Sequence, residues 1–233
     1  MENNLEFETY LYINPKRLFI SVNTESDKEI YKNELLLSKD SNQIDIDNID
    51  YFLNQNIFKI EKLLNNFVKK IFIIIDSEDF FPIYLSVKKN NYDDSINFQN
   101  LNYLLNEARD CCKKTVGERK TIHMIIKSYT INDINYSYFP KDQNCNSFSI
   151  QIKFICLSNE LIKNLEKILK KYQISISQII SAKYMKSLFS KEEQDLAKMA
   201  KETINGCNNN EIKLIPKTIK NKGFFEKFFH IFG

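Results

Sequence analysis

Ile71-Phe72-Ile73-Ile74-Ile75 carries apolar side chains at five successive positions. Both faces of the strand it forms must therefore be covered, as in the middle of a parallel sheet. Upstream, Ile46, Ile49, Phe52, Leu53, Ile57, Ile60, Leu63, Leu64 and Phe67 recur at helical spacing over about five turns, with Asp45 or Asp47 near the start. Before that helix, Phe7 to Ile13 and Leu18 to Val22 are β-rich runs separated by Asn14-Pro15-Lys16, a turn composition. A third strand is expected from Glu29 to Leu37. The order β-β-β-α-β makes the first 76 residues an α/β unit.

Working outward, Phe81 to Val87 reads as strand, and Asn97 caps a helix carrying Phe98, Leu101, Leu104, Leu105 and Ala108 on one face. Strands are expected at Thr121 to Tyr129 and Phe148 to Leu157, with a polar excursion between Pro140 and Asn146. Ser158 or Asn159 starts a helix with Leu161, Ile162, Leu165, Ile168 and Leu169. Ile174, Ile176, Ile179 and Ile180 form another strand, and a helix follows from Lys191 to Ile204. Asn205 to Lys222, with Gly206, three consecutive Asn and Pro216, reads as a linker.

Hydrophobic residues are 43% and charged residues 27% of the 233, an ordinary globular balance. Net charge is +3, and Lys alternates with Glu and Asp along most of the chain. A nucleic-acid binder would gather its basic residues into one patch, so no nucleic-acid partner is expected. Cys111, Cys112, Cys145, Cys156 and Cys207 form no CxxC pair, and His123 and His230 stand apart. Neither a metal site nor a disulfide framework follows from such a set, which suits reduced thiols in a cytoplasm. Of the adjacent Cys111 and Cys112, one is expected to be buried and one exposed on a helix. The polar start Met1-Glu2-Asn3-Asn4 is no signal peptide, and no segment approaches the roughly 20 apolar residues of a bilayer span.

With four Gly in all, neither a Walker loop nor a dinucleotide fingerprint can be assembled. No nucleophile elbow is present, so no catalytic or cofactor-binding residue is assigned. His123, between Ile122 and Met124, reads as a structural or surface histidine rather than a general base, because no nucleophile or carboxylate motif accompanies it. Glu192-Glu193 and Asp93-Asp94 read as a solvated helix start and turn.

The C-terminal residues carry a different signal. At 100° per residue, Phe224, Phe225, Phe228, Phe229, Ile231 and Phe232 share one arc of roughly 160°, while Glu226, Lys227 and His230 take the other side. Lys217, Lys220 and Lys222 lie just upstream. A three-turn helix is unstable alone in water, and a bare Phe face needs something to cover it. An anionic membrane surface meets both needs, with Phe rings in the headgroup boundary and lysines at the lipid charge. Docking onto the protein's own core is the competing reading.

Taken together, several stretches resemble FtsA, the bacterial actin-like family that ties the division ring to the membrane. Thr121-Ile122-His123-Met124-Ile125-Ile126-Lys127-Ser128-Tyr129-Thr130-Ile131 is similar to the family's His-Val-Ile-Pro-x-x-Tyr-x-Ile-Asp stretch, departing at Ile126 and Asn132. Asn159, Lys163 and Asn164, followed by Gln178-Ile179-Ile180-Ser181-Ala182, resemble the segment leaving the family's small inserted domain, with Gln173 where a Gly is usual. The amphipathic tail is a further family trait. The match runs from about Tyr10 to Leu188 and again over the tail.

The resemblance implies an α/β (α+β) fold. It comprises a partial actin-like, ribonuclease H-like first subdomain at 1–85, an inserted strand-helix-strand-strand domain at 86–160, a return helix, strand and C-terminal helix at 161–204, a linker at 205–222 and a membrane tail at 223–233. Family members hold phosphate on a Gly-Ser/Thr turn where this sequence has Ile13-Asn14-Pro15-Lys16. A second turn, Asp-x-Gly-Gly-Gly-Thr, is expected soon after Leu188 and does not occur. What the resemblance then implies is a non-enzymatic division adaptor without cofactor, on the inner face of the cell membrane, contacting division proteins and other copies of itself. A pilus-assembly relative and a residual ATPase are the alternatives.

Overall fold

The computed structural model describes residues 6–37, 42–90, 95–190 and 195–213. The expected tail, Phe224, Phe225, Phe228, Phe229, Ile231 and Phe232 with Lys217, Lys220, Lys222 and Lys227, lies outside the described residues.

The first sheet has β1 (Phe7–Asn14), β2 (Arg17–Thr24), β3 (Glu29–Leu36), β4 (Lys70–Ile75) and β9 (Ser175–Ser181). Their order is β3-β2-β1-β4-β9. β1 pairs antiparallel with β2 and parallel with β4, and β4 pairs parallel with β9. A three-strand meander followed by two parallel strands on its far side is the ribonuclease H-like, actin-like arrangement. β4 lies inside this sheet, and its alternation explains its composition. Ile71, Ile73 and Ile75 face α1 (Ile46–Leu64) and α3 (Asn159–Lys170). Phe72 and Ile74 face α4 (Ala182–Lys186) and α5 (Leu196–Asn205). Helices therefore cover both faces of the sheet, as its apolar strands require.

The second sheet is built from β5 (Phe81–Asn90), β6 (Arg119–Ile131), β7 (Ile134–Tyr136) and β8 (Ser147–Ser158), in the order β5-β8-β6-β7. One face is covered by α2 (Phe98–Thr115). In sequence this unit is inserted between β4 and α3. Asn97 caps α2 by accepting the Gln99 and Asn100 N–H groups, and Asn100 reaches back to the Asn97 N–H. Cys112 is buried on the sheet side of α2 and Cys111 is exposed, as expected.

Elements and boundaries differ from the sequence reading at several points, for local reasons. α1 stops at Leu64 instead of reaching Phe67, because Asn65 turns left-handed with φ 48° and its N–H bonds to the Glu61 carbonyl; Phe67 is left exposed. β5 belongs whole to the second sheet, so that unit starts at Phe81, ahead of the boundary expected after residue 85. β7, unforeseen, exists because Asn132 and Asp133 adopt φ 46° and 69° and close a two-residue hairpin onto β6. α4 was likewise unforeseen and is capped by the Ser181 hydroxyl. Within the described residues α5 starts at Leu196, where the Asp195 carboxylate accepts the Ala197 and Lys198 N–H groups; Lys191, the expected start, lies outside them.

The linker expected from Asn205 is also corrected. Gly206, at φ 89°, ends α5, and the next residues run along β6. The Ile126 N–H donates to the Asn210 carbonyl at 2.9 Å, and the Ile212 N–H donates to the Met124 carbonyl at 2.8 Å. Up to Lys213 the chain is packed structure, not linker. β7 pairs with β6 only from Tyr129 to Ile131, which leaves this stretch of the strand's edge open to receive the returning chain.

Candidate functional site

In open α/β sheets the loops beyond the carboxyl ends of parallel strands form the binding crevice. Here β1 and β4 end at Asn14 and Ile75, and a cleft of about 550 Å³ opens there, lined by Asn14, Pro15, Lys16, Asp76, Glu78, Lys183 and Lys186 among others. The FtsA resemblance would put a phosphate turn at Ile13-Asn14-Pro15-Lys16, on the rim of this cleft.

The β1–β2 turn is the first component. Asn14 pairs with Arg17 across two turn residues, and neither Pro15 nor Lys16 has a positive φ. Pro15 has no N–H to offer. The Lys16 N–H already donates to the Asn14 side-chain carbonyl at 2.9 Å. The Asn14 amide in turn donates to the Asp76 backbone carbonyl at 3.0 Å, and the Asp76 N–H donates to the Ile13 carbonyl at 2.8 Å. A phosphate cradle needs several N–H groups pointing at one empty volume. In this turn they are missing or engaged.

Asp76 is the second component. The Tyr12 hydroxyl donates to its Oδ2, and the Lys186 ammonium sits on the same oxygen at 2.6 Å. Burial by itself would raise the Asp76 pKa, but the bonds from Lys186 and Tyr12 outweigh it and hold the carboxyl below its usual value. Burial, with the bond to Asp76, pushes the Tyr12 phenol upward. Asp76 is thus an ionised tie between β4, β1 and α4. A second carboxylate, Glu78, lies 4.0 Å from the Lys183 ammonium, and both are largely exposed.

His123 lies elsewhere, on β6 where the two sheets meet, and its side chain is wholly buried. Its Nε2 accepts the Ser181 N–H at 3.0 Å, so the ring proton is on Nδ1. Nδ1 donates to Glu211 Oε1 at 2.7 Å, the Tyr184 hydroxyl donates to Glu211 Oε2 at 2.7 Å, and the Asn208 amide donates to the Tyr184 oxygen at 3.0 Å. Burial and the Glu211 bond raise the Tyr184 pKa. A buried histidine between a carboxylate and a serine invites a catalytic reading, but Ser181 meets the ring through its backbone N–H. Its hydroxyl instead accepts the Tyr184 N–H, and the residue is 2% exposed. The structural role expected for His123 is what the geometry gives. Glu211 and Tyr184 were missed by the sequence reading; Ile212, an apolar residue in a supposed linker, was the available signal.

Among the described residues no cluster of His, Cys, Asp and Glu could hold a metal ion, and no helix is long and apolar enough to cross a membrane. The sequence matches no protein-family model and no curated protein. Solved structures to which the chain is similar include the PilM–PilN type IV pilus biogenesis complex, at TM-score 0.45 and 7% identity over 76% of this chain and 48% of that one. Another is a Bacteroides thetaiotaomicron protein with an actin-like ATPase fold and unknown function, at TM-score 0.31 and 13% identity over 78% and 54%. A third is Marinitoga piezophila Argonaute with guide RNA, at TM-score 0.26 and 10% identity over 73% and 27%. The chain spans about half the length of the first two. These superpositions are loose, and it is the strand order β3-β2-β1-β4-β9 that makes the first sheet actin-like.

Proposed function

We propose that this chain is a non-catalytic adaptor of the FtsA type, peripheral on the cytoplasmic face of the cell membrane, where it contacts division proteins and further copies of itself. The observation that carries the non-catalytic half is the β1–β2 turn, in which Pro15 lacks an N–H and the Lys16 N–H is taken by Asn14. The engagement of Asp76 by Tyr12 and Lys186 supports the same reading. The membrane half rests on sequence, in the Phe arc of residues 224–232 and the lysines before it. The division setting rests on the resemblance of residues 121–131 and 159–182 to the family. The second sheet, which in the family meets later division proteins, is the surface assigned to partners here.

Titration calorimetry with Mg-ATP tests the first half directly: no heat of binding is expected at micromolar nucleotide, and saturable micromolar binding would replace the adaptor with a residual ATPase. A fluorescent fusion of the full chain in dividing cells tests the second. Enrichment at the septum is expected. Co-purification of type IV pilus-assembly proteins in place of division proteins would move the adaptor to pilus assembly, the setting of the PilM–PilN complex.

A further inference from the structure

Residues 207–213 cross the joint between the two sheets and make polar contacts to both. Glu211 is the centre of them. Its side chain is 11% exposed, and its two oxygens accept one hydrogen bond each, from His123 of the second sheet and from Tyr184 of α4 on the first. The two donors are themselves packed together, with ring centroids 4.5 Å apart. Asn208 holds the Tyr184 hydroxyl from the other side, and the Asn208 side-chain oxygen accepts the Asn210 N–H at 3.0 Å, which shapes the turn into β6. Ile212 packs against the core of the second sheet.

Apart from this segment the joint holds an apolar cluster of Ile125, Ile155 and Tyr184 with Phe80 and Leu188 at its margin, Leu157 of β8 and Ile122 of β6 packed with the core of the first sheet, and the bond from the Ser181 N–H to His123. Residues 76–81 and the turn at Ser158 join the units covalently, and neither crosses the seam twice. A buried carboxylate that accepts two hydrogen bonds fixes its donors in direction as well as distance. Removing it strands a buried imidazole N–H and a phenol O–H, the costly kind of loss.

We propose that residues 207–213 are a latch that sets the angle between the two sheets, released when Glu211 parts from His123 and Tyr184. Its release frees the β6 edge at Met124 and Ile126 and lets the second sheet move against the first. Whatever follows Lys213 is thereby tied to the joint, and the latch holds whether or not those residues meet a membrane.

The test uses the full chain. Hydrogen exchange read by mass spectrometry compares wild type with Glu211→Ala and with Tyr184→Phe, which keeps the ring on His123 and removes one donor. In Glu211→Ala the Ile126 and Ile212 amides should exchange at least tenfold faster, in Tyr184→Phe by less, while amides of α2 and β8 keep their rates. Spin labels on the two exposed cysteines, Cys111 of α2 and Cys207 at the start of the latch, should give one narrow distance in wild type and a broad distribution in Glu211→Ala. Unchanged exchange at Ile126 and Ile212 in both variants would overturn the latch. Equal acceleration through both sheets would overturn it too, since Glu211 would then be a general stabiliser. Anionic-vesicle binding by the wild-type chain is scored separately and bears only on the membrane reading.

Discussion

Replacing Gln173 by Gly should stabilise this protein. Gln173 has φ 61°. The Gln173 N–H donates to the Lys170 carbonyl at 3.1 Å and the Ile174 N–H to the Leu169 carbonyl at 3.1 Å, the paired pattern of a Schellman ending. Gln173 is the left-handed residue of that motif, a conformation glycine adopts without strain. The left-handed region costs an L-residue about 1–2 kcal/mol. Glycine avoids that cost but loses about 0.5–1 kcal/mol more backbone entropy on folding. The difference favours Gly by about 0.5–1 kcal/mol, a rise in Tm of about 1–4 °C at this chain length. Gln173 is exposed, so little packing is lost, and Ile174, 5% exposed, keeps its place against Leu169. Urea unfolding followed by circular dichroism, with the slope checked for constancy, measures the change. Gln173→Ala keeps the Cβ and should give no gain; Gln173→Asn should fall between. A destabilised Gly variant, or an Ala variant that gains as much, would refute the backbone argument.

Asp76→Asn should cost about 1 kcal/mol at neutral pH, because the buried Tyr12 and the half-exposed Lys186 lose an ionised acceptor. The folded-state pKa of Asp76 is depressed, so its contribution is full above the unfolded value near 3.9 and is lost as pH falls through the folded value. The gap between wild type and variant should close in acid; a gap constant from pH 7 to pH 2 would contradict the tie. Asn56 is fully buried and accepts from Tyr31 and Asn33 at 2.7 Å each while donating to the Phe52 carbonyl. Asn56→Ala should destabilise by about 1–3 kcal/mol, measured by the same unfolding assay, and loosen β3. Phe225→Glu with Phe228→Glu places two charges on the apolar arc and should abolish sedimentation with anionic vesicles. A double variant that pellets like wild type would make the tail a protein-docking element. Deleting residues 86–157 should end septal enrichment and division-protein pull-downs.

Much of the fold was legible because period and burial agree. The continuous run at Ile71–Ile75 announced a strand covered on both faces, and the set from Ile49 to Ile60 fell on the buried side of α1. Caps at Asn97 and Ser158 were written in side chains whose role is local. Signals failed where a backbone angle decided. Asn65, Asn132 and Asp133 adopt left-handed conformations that their residue type permits but does not demand, so α1 was read too long and β7 not at all. The site at the joint was less legible still. His123 and Glu211 are 88 residues apart, and nothing in a local pattern pairs them. The Asn-rich composition of 208–210 suggested a solvated chain, whereas the Asn208 and Asn210 side chains form contacts that substitute for a regular strand.

At the cleft beyond the ends of β1 and β4 the polar groups bond to one another. An anion site works because donors are held open against the pull of nearby acceptors, which is why glycine turns with exposed N–H groups serve it. In this chain the nearby acceptors have won. The Asn14 side chain takes the Lys16 N–H and the Asp76 carboxylate takes Lys186 and Tyr12, so an arriving phosphate would have to displace bonds already made, one of them between full charges. The same contacts join β1, β4 and α4 where the strands end. Groups that would otherwise spread around a ligand hold the first sheet to its helix instead. The joint at His123 follows the same logic, since Glu211 brings the chain's own carboxylate to donors on both sheets. In each place a polar centre is closed by residues of this chain.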